Sequence, residues 1–285
     1  MEPEPKKNIV LLPTDFTEVI EYAIEHAAGI CKMQNYKFTL LHVINKDTKS
    51  YLKKEKLTKN SINEKLENKV KEIKDEFGVT ADFIVKEGSI FSAIGKTAKE
   101  IGANMVVLGT HGKVGVQHIV GSYAMKVIQS SSVPVIVVQE RGFREGYKNI
   151  VLPIDDSIES KQKVKWAIHI ARKFNSIVNI FAMSVSDPYR KAKVKGNLQQ
   201  IKKFFDQNGI MHTDKYAEKG SSYPKQVLAF SRSIDADMIL IMTNPDKMMP
   251  SFIVGKWEEQ LIFNESLIPI MAINPVELGI IVGGL

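Results

Sequence analysis

A chain of 285 residues with 44% hydrophobic side chains can bury one large core or two ordinary ones, and its formal net charge of +7 is spread along the chain rather than gathered into a phosphate track. The start, MEPEPKKNIV, has no apolar stretch behind its charges, and no apolar run reaches the roughly eighteen residues that cross a bilayer, so export, membrane insertion and nucleic-acid binding are not expected and the cytoplasm is the expected location. The single cysteine, Cys31, excludes an intramolecular disulfide and reads as a small buried hydrophobe.

The first predicted element is the strand IVLLP at 9–13, followed by Asp15 in the stretch D-F-T-E. That stretch has two readings of equal weight: a ligand-facing carboxylate, or a capping box in which Asp15 caps the next helix and Glu18 reaches back. Ile20, Ala23, Ile24, Ala27 and Cys31 then fall on one face of a helix. In the strand FTLLHVI, His42 reads as a hydrogen-bonded core side chain rather than a base. The lysine-rich stretch KKEKLTKNSINEKLENKVKEIKDE alternates acid and base around Leu66, Val70, Ile73 and Phe77, as a solvated helix does. Two further apolar runs, DFIVKEG and NMVVLGT, precede a loop with glycines at 109, 112 and 115. Gly121 and Ser122 open an amphipathic segment, and PVIVV closes this half of the chain.

The same order then returns. KNIVLLPTD at 7–15 recurs as KNIVLPID at 148–155 with one residue missing, and YAIEHAA recurs as WAIHIAR after a four-residue insertion. The helix spacing of Leu66, Val70, Ile73 and Phe77 recurs as Val194, Leu198, Ile201 and Phe205, KEGS as EKGS, and IGANMVVLGT as IDADMILIMT. Short apolar strands alternating with helices require parallel pairing with helices on both faces. The expected fold is α/β, with two tandem doubly wound domains, each a five-stranded parallel sheet in the order 3-2-1-4-5. The expected boundaries are 1–140 and 148–276, joined by the polar linker ERGFREGYK, with an apolar tail at 277–285.

In such a sheet the ligand crevice lies beyond the carboxyl ends of the first and fourth strands, here at Asp15 and Gly109. Glycines admit a phosphate close to the backbone, and amides near Gly121 and Ser122 at a helix start supply donors, with Lys113 as an added cation. The bland reading of the glycines is a plain turn, which rarely needs so many together. In the second copy Met242, Asn244 and Pro245 replace Gly109, His111 and Gly112, and Gly255-Lys256 replaces Gly121-Ser122. A shift of one residue sets Asp246 in the place of Gly112 instead, no better for phosphate. One nucleotide site per chain is therefore expected, in the first half. Asp155 and Asp156 read as a cap and its solvated neighbour, and no carboxylate or second histidine stands at metal spacing from His111.

From LLPTDFTE through LLHVI to GTHGKVGVQHIVGS and VPVIVV the chain resembles the universal stress protein family, and as a whole its tandem two-domain form. The family pattern is G-x-x-G, nine residues, then G-[ST]; here eight residues separate Gly112 from Gly121. The resemblance implies ATP, with Mg2+ as its companion ion, as ligand. Pro13, Thr14 and Asp15 would line the adenosine side, Val43 would meet adenine through its backbone, and Leu108, Gly109, His111, Gly112, Gly121, Ser122 and Tyr123 would hold ribose and phosphates. It also implies pairing through last strands, either in a homodimer or as an internal pseudo-dimer. A regulatory ATP binder is the leading reading and a scaffold with a vestigial glycine loop the alternative. An adenine-nucleotide hydrolase-like enzyme is third, since no Walker GK[ST], G-x-S-x-G elbow or Cys/His pair is present, and any ATP hydrolysis would be slow and incidental.

Overall fold

The computed structural model describes residues 7–110, 120–220, 222–243 and 256–275, with 120–123 and 256–258 as backbone. The chain divides into two compact units, 1–146 with 263–270, and 147–262 with 271–285.

In the first unit β1 (Ile9–Pro13), α1 (Ile20–Gln34), β2 (Lys37–Ile44), α2 (Lys46–Lys54), α3 (Asn60–Phe77), β3 (Ala81–Glu87), α4 (Ile90–Ile101), β4 (Met105–Gly109), α5 (Val120–Ser130) and β5 (Val135–Val138) follow in order. The strands lie in the order β3-β2-β1-β4-β5, all paired in parallel. This is the expected 3-2-1-4-5 winding. The central strands are apolar throughout because helices cover both of their faces: Val10, Leu11, Leu12, Val106 and Val107 are fully buried. Helix α1 buries its predicted stripe, including Cys31, whose thiol is pushed up to about 12 by burial and is therefore inert. It stops at Asn35, which takes the left-handed conformation at φ 55° and returns its amide to the Cys31 carbonyl. Gly78 and Gly102 end α3 and α4 in the same left-handed way.

The second unit repeats the plan with β6 (Asn149–Ile154), a short 3-10 turn (Glu159–Lys161), α6 (Val164–Phe174), β7 (Ile177–Ala182), α7 (Pro188–Gln207), β8 (His212–Tyr216), α8 (Tyr223–Ser233), β9 (Met238–Met242), α9 (Lys256–Ile262) and β10 (Ile270–Ile273). The strand order is β8-β7-β6-β9-β10, with β6 parallel to both β7 and β9. Asp187 caps α7 by accepting the Arg190 amide at 2.8 Å, and Pro188 follows at its first position. Val194, Leu198, Ile201 and Phe205 are buried on this helix, as Leu66 and Ile73 are on α3.

Register shows how the copies correspond. Ile9 is tied to Asn104 through both backbone and side chain, and Asn149 is tied to Asp237 in the same way. Ile9 faces Lys37 in the first unit, while Asn149 faces Ile177 in the second. Pro13 therefore matches Pro153, Thr14 matches Ile154 and Asp15 matches Asp155, so the residue missing from the second copy precedes β6. The interval from first to second strand is also equal in the two units. This corrects the expected four-residue insertion: nothing is inserted, and α6 simply starts about one turn later than α1, the 3-10 turn replacing that first turn. Both helices still end on a left-handed asparagine, Asn35 and Asn175.

The linker is not a free polar strap. His26 on α1 is buried and bonds through Nε2 to the Arg141 carbonyl at 2.9 Å, and the Phe143 ring meets it edge-on at 5.2 Å. Glu25 accepts the Phe143 amide at 2.9 Å. Gly29 makes room for this contact, since a Cβ there would lie 2.1 Å from Phe143 Cε1. Tyr147, four residues after Phe143, belongs to the second unit, where it is buried against Phe174. The apolar tail at 277–285 lies outside the described residues.

Two predictions follow from this clamp. Gly29→Ala should lower stability by about 1–3 kcal/mol in denaturant titration through overpacking, and the added loss should be smaller in a Phe143→Ala background, where the methyl fits. Burial holds the His26 pKa at about 4, against the Arg141 carbonyl bond, which favours the charged form. Because the unfolded chain takes up this proton first, stability is complete above pH 6.5 and falls as pH drops from 6.5 toward 4, by up to about 3 kcal/mol from this residue. Denaturation of wild type and His26→Gln across that window should show the slope shrinking in the variant.

Candidate functional site

At the carboxyl end of the first unit's sheet, β1 ends in Pro13, and Thr14 continues the ladder by donating its amide to the Leu41 carbonyl at 2.8 Å. The Thr14 hydroxyl accepts the Phe16 amide at 3.1 Å, helping hold Phe16 at a left-handed φ of 62°. Asp15 is exposed; one of its carboxylate oxygens accepts the Thr17 amide at 3.1 Å and the Thr17 hydroxyl at 2.6 Å, and the other has no partner among the described residues. The capping-box reading of Asp15 is thereby corrected. Helix α1 begins at Ile20 with Val19 at its cap and no side-chain capping bond, because Asp15 spends its oxygen on a local turn.

His42 is buried. Its Nδ1 lies 2.9 Å from the Thr14 carbonyl, which only accepts, so Nδ1 carries the proton, and Nε2 faces the Thr48 hydroxyl at 3.4 Å. Burial lowers the His42 pKa, against the Thr14 bond and the Asp15 charge. Its ring lies 4.9 Å from that of Phe16. The Thr14 carbonyl thus takes its hydrogen bond from a side chain, and the next rung of the β1–β2 ladder, from the Val43 amide, is not made. Among the described residues Val43 therefore presents an unpaired N–H at the end of the crevice between β1 and β2, and its carbonyl has only a long 3.5 Å contact from Thr48. Lys65 reaches over this rim, 5.6 Å from the Phe16 ring centre and 3.0 Å from the Tyr51 hydroxyl.

Leu108 and Gly109 end β4 beside Val137 and Val138. Gly109 has a packing reason to be glycine, since a Cβ would lie 3.3 Å from Ala23 Cβ and 3.4 Å from the Val19 carbonyl. Thr110, buried, continues the ladder to Val138 at 2.9 Å. His111 and Gly112 lie outside the described residues, as do Lys113 and Gly115. Gly121, Ser122 and Tyr123 occupy the first turn of α5, where helical amides lack intrahelical acceptors. The structure brings Pro13, Thr14, Asp15 and Val43 together at the β1–β2 end, and Leu108 and Gly109 adjoin them across β1. Residues 13–16, 42 and 48 form a network that sequence reasoning reached only in part. Phe16, Thr48 and Lys65 went unnoticed, although D-F-T and the Asn45 cap of α2, which accepts the Thr48 amide at 2.8 Å, were visible signals.

The same end of the second unit is built differently. Asp155 repeats the Asp15 turn, accepting the Ser157 amide at 2.9 Å and its hydroxyl at 2.6 Å. Asp156 is not merely solvated, for Arg190 bonds both of its oxygens at 2.8 and 3.0 Å. The rung missing at Val43 is made here, from the Met183 amide to the Ile154 carbonyl at 2.8 Å, where Ala182 replaces His42. Tyr223 closes the gap between β6 and β7 by donating its hydroxyl to the Ile154 and Phe181 carbonyls at 3.0 and 2.6 Å, its ring stacked on Phe181. Burial pushes its hydroxyl well above the usual tyrosine pKa. By register Met242 stands for Gly109 and Lys163 for Ala23, so the close approach of helix and strand is lost. Asn244, Pro245, Asp246 and Gly255 lie outside the described residues.

A family model described as the universal stress protein family matches residues 7–139. One universal stress protein of Methanocaldococcus jannaschii is 30% identical over 153 residues, covering 46% of this chain and 94% of that protein. A second from the same organism is 31% identical over 139 residues, covering 46% of this chain and 81% of its own length. Among solved structures, a universal stress protein from Archaeoglobus fulgidus superimposes with a TM-score of 0.76 at 20% identity, over 94% of this chain and 99% of its own, which shows a shared fold across both units.

Removing the hydroxyl that closes the second crevice should be costly. Tyr223→Phe leaves two carbonyls without that donor and is expected to lower stability by about 1–3 kcal/mol in denaturant titration.

Proposed function

Because the chain belongs to the universal stress protein family, we propose that its first unit binds ATP and that occupancy serves as a regulatory signal in a stress response. Pro13, Thr14 and Asp15 line the adenosine side, and Val43 reads adenine through its main chain. Leu108, Gly109, His111, Gly112, Gly121, Ser122 and Tyr123 hold ribose and phosphates.

The observation that carries this reading is the unpaired Val43 amide. A main-chain donor at a strand end normally finds an acceptor, and here the acceptor that the ladder would offer is engaged by His42. An adenine ring presents an edge of ring nitrogens and an amino group that such a main-chain segment can pair with. Two further features support it. The free Asp15 oxygen is exposed and suited to sugar hydroxyls, and the first-turn amides of α5 suit an anion. Among the described residues no three His, Cys, Asp or Glu side chains gather as metal ligands, so Mg2+ would arrive with the triphosphate. The second unit, with its rung made and its gap filled by Tyr223, takes no nucleotide. The protein works by binding rather than by catalysis, as a homodimer in the cytoplasm; no helix among the described residues is long and apolar enough to cross a membrane.

Titration calorimetry with ATP and Mg2+ tests this directly. Wild type should bind one ATP per chain, and Gly112→Asp should weaken binding by at least about tenfold, roughly 1.4 kcal/mol, with little change in folding, because a carboxylate is set against the phosphates. A flat titration together with no adenine nucleotide released on denaturing the purified chain would establish the scaffold reading instead.

A further inference from the structure

The second unit buries a cation that has no partner among the described residues. Lys163 is 3% exposed, and among the described residues its ammonium makes no hydrogen bond and no ion pair. The charge it senses is that of Asp155, at the end of β6, which opposes the fall of the Lys163 pKa to about 8 that burial causes. Asp155 is beyond ion-pair distance, and one of its oxygens is already committed to Ser157. Three residues earlier, Ser160 is 2% exposed. Its oxygen accepts the Asp155 amide at 3.3 Å, while its own hydroxyl proton has no acceptor among the described residues. Two buried donors three residues apart, one bonded to the Asp155 amide and the other sensing the Asp155 charge, and both without acceptors among the described residues, are an exception to the rule that buried polar groups are satisfied.

We propose that Lys163 and Ser160 form a binding site for a small oxyanion, free phosphate as its representative, at the carboxyl end of the second unit's sheet. The position is significant. Lys163 replaces Ala23, the residue that in the first unit presses against Gly109, so the second copy has exchanged a close main-chain approach for a side-chain cation at the same place in the fold. The ligand is a bare anion rather than a nucleotide because the neighbouring β6–β7 gap, where a base would lie, is closed by the Tyr223 hydroxyl and by the Met183 rung. A tetrahedral oxyanion offers several acceptor oxygens at once, enough for the ammonium and the serine hydroxyl together. Asp155 balances part of the lysine charge, which favours a compact anion of low charge over a polyphosphate.

The site is independent of ATP binding in the first unit, and the test separates the two. The full chain carrying Gly112→Asp, which disables the glycine loop, is dialysed against radiolabelled inorganic phosphate. Saturable binding of one phosphate per chain is expected, and it should disappear in the added Lys163→Met variant. That variant should keep or raise its phosphate-free melting temperature, since an unpaired buried charge is gone; Lys163→Gln serves if Lys163→Met fails to fold. Ser160→Ala should weaken binding by about tenfold. AMP, carrying the same phosphoryl group on a nucleoside, should compete poorly. No saturable phosphate in the Gly112→Asp chain, or binding unchanged by Lys163→Met, would overturn the proposal and leave these donors to water, and competition by AMP as strong as by phosphate would overturn the assignment to a free anion.

Discussion

At the mouth of the first unit, the start of α1 lies so close to the end of β4 that a methyl at position 109 would fit only tightly, 3.3 Å from Ala23 Cβ and 3.4 Å from the Val19 carbonyl. This approach sets the geometry of the whole edge. It keeps α1 over the end of β4, while Asp15 and Phe16 turn out of β1. The glycine therefore has a structural duty in addition to the one a phosphate would give it. A small residue on each side of a helix–strand contact is a constraint that neither element can relax alone.

Divergence between the two units is concentrated at this edge. Their frames agree in strand order, in register and in the asparagines that end α1 and α6. Their mouths do not. Where the first unit has His42 taking the Thr14 carbonyl and leaving Val43 unpaired, the second has Ala182 and a completed rung. Where the first has Ala23 against Gly109, the second has Lys163 and Met242. Those replacements put a buried positive charge at the second mouth. The two copies thus hold the same scaffold with different local chemistry.

The parallel α/β winding, the helix faces and the duplication were legible in the sequence because each depends on local periodicity. Strands buried on both faces must be uniformly apolar, and helices that cover them must repeat every three or four residues. The core positions of α7 were readable for that reason, as were Leu66 and Ile73 on α3 and the burial of Cys31, whereas Val70 and Phe77 are only half-buried. The loss of glycine at position 242 was also visible, since aligned residue types suffice for it. Less legible was the correspondence of α1 with α6. YAIEHAA and WAIHIAR align well as strings, but an amphipathic helix resembles itself after one turn, so the best match by letters is one turn away from the match in space.

Sequence by itself determined the architecture and the location of the crevice, because strand order in a doubly wound sheet follows from alternation and handedness. Tertiary structure alone decided what the crevice offers. That His42 diverts a carbonyl from the ladder, that Asp15 is spent on a turn rather than on a helix cap, that Phe143 seats on Gly29, and that Lys163 stands where Ala23 does all depend on pairs of residues distant in sequence. Hydrogen bonds and close contacts of that kind are set by geometry between elements, and no periodicity within one element records them.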